Sequence, residues 1–358
     1  MTFTVVGTPG HRRVALFGAA CRSRGLPEPH VVPWRDVLLG RDLTIAPGTL
    51  LRIDSPGEDP EADALLRGPG DPTRVGGGAA WYRGFTGGLR RIAAAAREAR
   101  PLNDPDEIAV MFDKRRCHAH LRSAGVPVPP ALPEVHGYTE LRTRMAEAGW
   151  SRVFVKPAHG SSASGVVALQ TSRDRIKAVT SAAMGEEGPH NSLRVRTYVR
   201  EREVAALVDV LAPDGLHVER WFPKAVLDGR ALDLRVVVVA GTPTHAVVRT
   251  SRHPMTNLHL GGARGDLGAL RHRLGEAGWR EALEVCARAA DRFPRSLMVG
   301  VDLLVGIGWR RLAVGEVNAF GDLLPGLTGL PGSGAEGKDT YGAQVEAALS
   351  RKAPACAT

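Results

Sequence analysis

Short apolar runs alternate with charged and Gly/Pro-rich segments along the whole chain, and none approaches the ~20 residues that span a bilayer. FTVVG at 3–7 predicts a strand. A loop at GTPG follows, then a helix carrying Val14, Leu16, Phe17 and Ala20. HVVPW (30–34) and TLLRID (49–54) read as further strands. This alternation predicts a small α/β unit over residues 1–105. Residues 55–80 are rich in Pro and Gly and read as a long loop or mobile insert, and RRIAAAAREA at 90–99 reads as a helix.

Downstream the pattern changes to hairpins mixed with helices, which predicts an α+β arrangement for residues 106–358. Asp104 and Asp113 are placed to cap successive helices, the second ended by Gly125. WSRVFVKPA and SGVVALQ form a hairpin with a Gly/Ser-rich tip. LRVRTYV, EVAALVDVLA and GLHVERWF read as strands, and DLRVVVVAGTPTHAVVRTS as a hairpin turned at GTP. WREALEVCARAADRFP is an amphipathic helix, VGVDLLVGIGWRRLAVGEVNA another hairpin, and TYGAQVEAALSRK a C-terminal helix. The expected division is 1–105, 106–222 and 223–358.

Composition narrows the class. Of the 358 residues 43% are hydrophobic and 24% charged, as in soluble globular proteins. MTFTVVGTPG lacks the zones of a signal peptide, so a cytoplasmic chain with no membrane partner is expected. Cys21, Cys117, Cys286 and Cys356 are far apart, which argues against a disulfide framework or structural zinc. The net charge of +9 is spread along the chain without a basic run or nucleic-acid motif. Anionic small substrates are the expected partners rather than nucleic acid. Only six lysines occur among 47 basic residues, which draws attention to where they fall.

Two stretches carry chemistry. In VFVKPAHGSSASGVVAL, Lys156 ends an apolar run before small residues. The order is the reverse of the P-loop, whose lysine follows its glycines and opens a helix. In VDLLVGIGWRRLAVGEVNAFG, Glu316 and Asn318 are two apart and share a strand face. A hairpin centred at residue 309 sets Asp302 opposite Glu316, with Cβ atoms about 4.5–5.5 Å apart. Two carboxylates that close need a cation between them, and with an amide oxygen they make a hard site suited to Mg²⁺. The bland alternative is a pair of solvent-facing acids on an edge hairpin.

Taken in order, these motifs resemble the ATP-grasp superfamily. DK at Asp113–Lys114 precedes AGVPVP; VKPAHGSSASGV supplies a strand lysine and a small-residue flap; VERWFP is similar to the family's adenine hinge; and DLR…R…NLHLGG…D…EVN is similar to its catalytic core. The resemblance covers about residues 103–345 and implies two α+β subdomains clasping ATP after a small α/β N-terminal domain.

The resemblance also implies ATP as the nucleotide, with Mg²⁺, or Mn²⁺ in its place, at Asp302, Glu316 and Asn318. By the same resemblance, Lys114, Lys156 and Lys224 serve the nucleotide, with Gly160, Ser161, Ser162 and Gly165 in the flap. Its adenine hinge implies that Glu219 accepts from the ribose or supports the adenine edge, and that the backbone at Trp221 and Phe222 reads adenine. Its catalytic core implies Asp233 beside the catalytic Arg235 and Arg249, with Asn257 in a substrate-side loop. The chemistry implied is ligation of a small-molecule or peptide carboxylate, activated as an acylphosphate, to an amine or less often a thiol. An ATP-grasp kinase and an ATP-sensing module without turnover are the rival readings, and a homo-oligomer is left open. The loop at Asn257 is similar to that of the ribosomal-protein glutamate ligase. It differs from that group at Leu260, where an arginine is usual, at Val248, where an acid is common, and in the apolar AFGDLLPGL after Asn318. These differences bear on the substrate. His159 and His253 lie near the motifs; each reads as a hydrogen-bonding or surface residue, with a role as a base the lesser alternative.

Overall fold

The computed structural model describes residues 1–160, 163–185, 188–321 and 325–351. Strands β1 (Phe3–Gly7), β2 (His30–Pro33), β3 (Leu50–Ile53) and β4 (Arg100–Pro101) form a parallel sheet in the order β2-β1-β3-β4. Helices α1 (Arg12–Arg22) and α2 (Trp34–Leu38) supply its first two crossovers. The 55–80 segment is more structured than its composition implies. Asp59 caps α3 (Pro60–Arg67) by accepting from the N–H groups of Glu61 and Ala62, with Pro60 at the first helical position. The next helix, α4 (Gly78–Ala95), starts well before 90 and ends before 99, because its buried stripe runs through Phe85, Leu89 and Ile92.

Asp104 caps α5 (Pro105–Phe112), and Asp113 ends it while capping α6 (Lys114–Ser123). The central unit adds α7 (Tyr138–Glu147), β5 (Arg152–Pro157), β6 (Val167–Ser172), β7 (Arg175–Gly185), β8 (Gly188–Tyr198), α8 (Glu201–Leu211) and β9 (Leu216–Arg220). Its antiparallel sheet runs β8-β7-β6-β5-β9. EVAALVDVLA is therefore helix, not strand. Val204, Leu207, Val208 and Leu211 recur at the helical spacing and are all buried, so periodicity outweighs the β-branched composition.

The last unit comprises β10 (Val226–Leu227), β11 (Arg230–Val239), β12 (Thr242–Ser251), β13 (Ala263–Arg264), α9 (Leu267–Ala290), β14 (Met298–Val305), β15 (Leu312–Asn318) and α10 (Thr340–Ser350). The sheet order is β13-β12-β11-β14-β15, with β10 also on β11. Even-numbered Leu232, Leu234, Val236 and Val238 of β11 enter a core shared with α9. That core also holds Ile108, Met111 and Cys117 of α5 and α6, and Trp34 and Phe85 of the N-terminal unit. The central sheet has a second core, of residues from Val135 to Val218 joined by Val75 of the N-terminal unit. One apolar body thus joins much of the first and last units, while the central sheet keeps its own core and meets the last unit where Phe154 and Ala168 pack with Met255 and Leu260. Helix α10 returns to α1, with Tyr341 and Val345 buried beside Phe3 and Phe17. Among the described residues no helix is long and apolar enough to cross a membrane.

Candidate active site

Strand alternation gives the last sheet a second, charged face. On β11 the odd-numbered Asp233 and Arg235 point away from the even-numbered core residues. The register aligns Asp233 with Arg249, Arg235 with Asp302, Asp302 with Glu316, and Gly300 with Asn318. A bulge makes the last alignment work. Leu303 pairs with Val314 and Asp302 with Glu316, so Gly315 is an extra residue that turns Glu316 onto the face of Asp302.

This face forms one wall of a cavity of about 380 Å³. Phe154 and Lys156 of β5 and Glu219 of β9 line the opposite wall, with Lys114 and Gly160 at one end. Local hydrogen bonds fix that end. The Lys114 N–H donates to Ala158 O at 3.0 Å, and its Nζ donates to Gly160 O at 2.6 Å. Asp113 caps α6 through Arg115 and Arg116 and accepts from His159 Nε2 at 3.2 Å. Burial alone would raise the Asp113 carboxyl; these hydrogen bonds outweigh it and hold the group at about 2. His159 thus has a structural partner.

The charges are closely matched. Lys114 pairs with Glu316 at 3.1 Å, and Lys156 with Glu219. Asp302 holds Arg235 and, at 3.1 Å, Arg249 Nη2; Arg249 Nε bonds Asp233 at 2.7 Å. Lys224 donates to Thr256 Oγ1 at 2.8 Å and lies 3.6 Å from Asp233. Burial would raise Glu219 and Asp233, but their cations prevail and hold each at about 2. Asp302 is likewise held below the usual carboxylate range by Arg235 and Arg249, against burial and the nearby Asp233. Burial pushes the Lys224 ammonium down, partly offset by Asp233. The three carboxylates therefore stay ionised near neutrality and set fixed negative charges in a partly desolvated wall.

Asp302, Glu316 and Asn318 all line the cavity. Asn318 donates Nδ2 to Gly300 O at 3.4 Å, which orients its amide. Two carboxylates and an amide carbonyl are hard oxygen donors of the kind Mg²⁺ takes alongside substrate phosphates. No cluster of three His, Cys, Asp or Glu occurs among the described residues, so any third protein donor would be an amide or backbone group.

Asn257 and Phe222 also line the cavity. Two expected residues lie outside its lining. Trp221 is absent from its lining: the ring packs on Phe154 with centroids 5.0 Å apart, and its N–H is already donated to Arg152 O at 3.1 Å. Gly165 is also outside the lining. It has φ +68°, and a Cβ there would overlap Val75, so it is a packing glycine at the flap's base. Ser161 and Ser162 lie outside the described residues.

Sequence reasoning missed a third wall. Arg13, Ser55, Gly57 and Glu58 reach the cavity from the N-terminal unit. They lie at the ends of β1 and β3, where a parallel sheet presents ligand-binding loops, a signal that strand order would have supplied.

No protein-family model matches the sequence, and no curated protein matches it. Solved structures do. The ATP-grasp ligase PsnB in complex with a minimal precursor is 18% identical, with a TM-score of 0.55 over 98% of this chain and 100% of that one. D-cycloserine synthetase DcsG is 15% identical, with a TM-score of 0.58 over 97% and 98%. The macrocyclase MdnC bound with precursor peptide MdnA from Microcystis aeruginosa MRC is 13% identical, with a TM-score of 0.54 over 98% and 99%. With two sheets enclosing a lysine- and carboxylate-lined cavity behind a small parallel-sheet unit, and these likenesses spanning nearly the whole chain, the protein has the ATP-grasp fold.

Proposed function

We propose that the chain is an ATP- and Mg²⁺-dependent ligase that activates a carboxylate as an acylphosphate and joins it to an amine. The observation that carries this reading is the convergence of Lys114, Lys156, Arg235 and Arg249 with Asp302, Glu316 and Asn318 on one cavity. Phosphoryl transfer needs positioning and charge neutralisation more than covalent help, and this lining offers both.

Lys114 and Lys156 hold phosphate oxygens as point charges. Gly160, Ala163 and Ser164 cover the phosphate end, with Gly165 packed behind them. Phe222 and the apolar cavity wall pack on the nucleotide base, with Glu219 accepting from ribose or base. Mg²⁺ at Asp302, Glu316 and Asn318 would neutralise the β- and γ-phosphates. Arg235 and Arg249 face the charge that develops on the transferred phosphoryl group. A carboxylate oxygen of the substrate attacks the γ-phosphorus, the bond to the β–γ bridging oxygen breaks, and ADP departs. The amine then attacks the acyl carbon, an amide forms, phosphate leaves, and a proton is released to solvent. Lys224 and Thr256 hold Asp233, which keeps Arg249 in place.

The likeness to PsnB and MdnC, described with precursor peptides, and to DcsG supports peptides and amino acids as the first substrates to try. The test is ADP release and product mass with pooled amino acids and short peptides, ATP and Mg²⁺. A product heavier by an acylated partner, with free phosphate, supports ligation. A product heavier by a phosphoryl group alone makes the chain a kinase. ATP binding without any ADP release makes it a sensor.

A further inference from the structure

Among the described residues, five of the six lysines and arginines lining the cavity already have a carboxylate partner there: Lys114, Lys156, Lys224, Arg235 and Arg249. Arg13 has none. Its Nη1 is shielded from solvent and makes no hydrogen bond. A buried donor without a partner loses its hydration and gains nothing in return, so its place in a cavity wall points to a ligand.

The fold explains how Arg13 comes to face the site. It stands in the first turn of α1, just after β1, while Ser55, Gly57 and Glu58 follow β3. The chain leaves β1 for β2 on one side and returns to β3 on the other, so the two loops diverge at the strands' carboxyl ends. Two contacts pin them together. Thr8 Oγ1 donates to Asp59 Oδ2 at 3.0 Å, and His11 Nε2 lies 3.1 Å from Glu58 Oε2. Glu58, the carboxylate that the N-terminal unit brings to the cavity, is thereby held by His11 and not by Arg13. The first turn of α1 carries no acidic residue.

We propose that Arg13 binds a carboxylate of the substrate other than the one that ATP activates, so that the chain acts on a substrate with two carboxylates. This rests on the ligase reading. The activated carboxylate meets Arg235 and Arg249 at the phosphoryl end, and the second is gripped from the N-terminal unit. A guanidinium suits that role because its planar fork donates to both oxygens of a carboxylate at once, which a lysine cannot do.

The experiment is calorimetric titration of malonate, succinate, glutarate, adipate and butyrate into protein saturated with Mg·AMPPNP, for the wild type, Arg13→Gln and Arg13→Lys. At least one dicarboxylate should bind the wild type tenfold or more tightly than butyrate. Arg13→Gln should lose that preference and Arg13→Lys should keep part of it, with Mg·AMPPNP affinity and unfolding midpoint unchanged in both. If no dicarboxylate exceeds butyrate, or if the preference survives in Arg13→Gln, the proposal is wrong while the ATP site stands. If the wild type does not bind Mg·AMPPNP at all, the ligase reading falls and this proposal falls with it.

Discussion

Asp302 and Glu316 stand opposite each other across the β14–β15 ladder, and each is neutralised from a different element. Asp302 is held by Arg235 of the neighbouring β11 and Arg249 of β12 beyond it, and Glu316 by Lys114 of α6. The acids proposed to hold the metal are therefore the acids that hold the phosphate-binding cations. If both bind as proposed, nucleotide and metal would each release a partner of the other, and their binding should be coupled.

Glu316→Gln tests this coupling. The neutral amide no longer binds Lys114 as an ion pair and is a weaker metal ligand. Mg²⁺-dependent ADP release should fall by about 10²-fold. Affinity for AMPPNP without Mg²⁺ should stay the same or rise, because Lys114 is freed for phosphate. Calorimetry with and without Mg²⁺ reads the binding half and a coupled ADP assay the rate. A drop in metal-free affinity would mean that Glu316 supports the cavity in some other way.

The Lys156–Glu219 pair gives a stability prediction with a pH signature. Glu219 is buried, and Lys156→Met leaves its charge uncompensated but for His217. The loss should be about 3–5 kcal/mol by chemical denaturation at neutral pH. Lys156→Met/Glu219→Gln should recover most of it, yet both variants should bind Mg·AMPPNP at least tenfold more weakly. In the wild type Glu219 is at about 2, below its ordinary 4.5. The folded state therefore binds that proton less tightly than the unfolded chain. The stability it contributes is complete above about 4.5 and is lost as pH falls towards 2. Lys156→Met should flatten that acid limb relative to the wild type.

At Gly165 the expected effect is steric. Alanine would take a left-handed φ and overlap Val75, whose N–H is donated to Pro189 O at 2.9 Å. Gly165→Ala should cost roughly 1–3 kcal/mol in unfolding free energy. Adding Val75→Ala should restore the part due to overlap but not the part due to φ. Full restoration would assign the whole effect to packing.

Much of the charged face was legible because strand chemistry repeats every two residues. Asp233 and Arg235, Glu316 and Asn318, and the pairing of Asp302 with Glu316 all follow from alternation. That last pairing is reached by a different route from the one a regular hairpin implies. Near its turn the hairpin pairs Leu304 with Ala313 and Val305 with Leu312, one residue off the register expected from a centre at 309. The bulge at Gly315 restores the alignment, and nothing local in the sequence announces it. Other parts were hidden for different reasons. EVAALVDVLA looks like a strand by composition and is helical by the spacing of its buried residues. Helix α7 has no counterpart among the expected elements, although Tyr138, Leu141 and Met145 are spaced for one buried face. Trp221 and Gly165 sit within motif stretches but outside the cavity, since a motif fixes neighbours along the chain and not which way a ring points. Arg13 is about 100 residues before Lys114, and only the docking of the parallel sheet on the catalytic unit brings both to one cavity.

The central claim is that this cavity binds Mg·ATP through charges now paired with one another. It is tested most directly by titrating AMPPNP into the wild type and into Asp302→Asn, with and without Mg²⁺. The expected result is saturable one-to-one binding to the wild type that Mg²⁺ strengthens at least tenfold, with the Mg²⁺ effect lost in Asp302→Asn. No binding by the wild type, or binding indifferent to Mg²⁺ in both proteins, would contradict it.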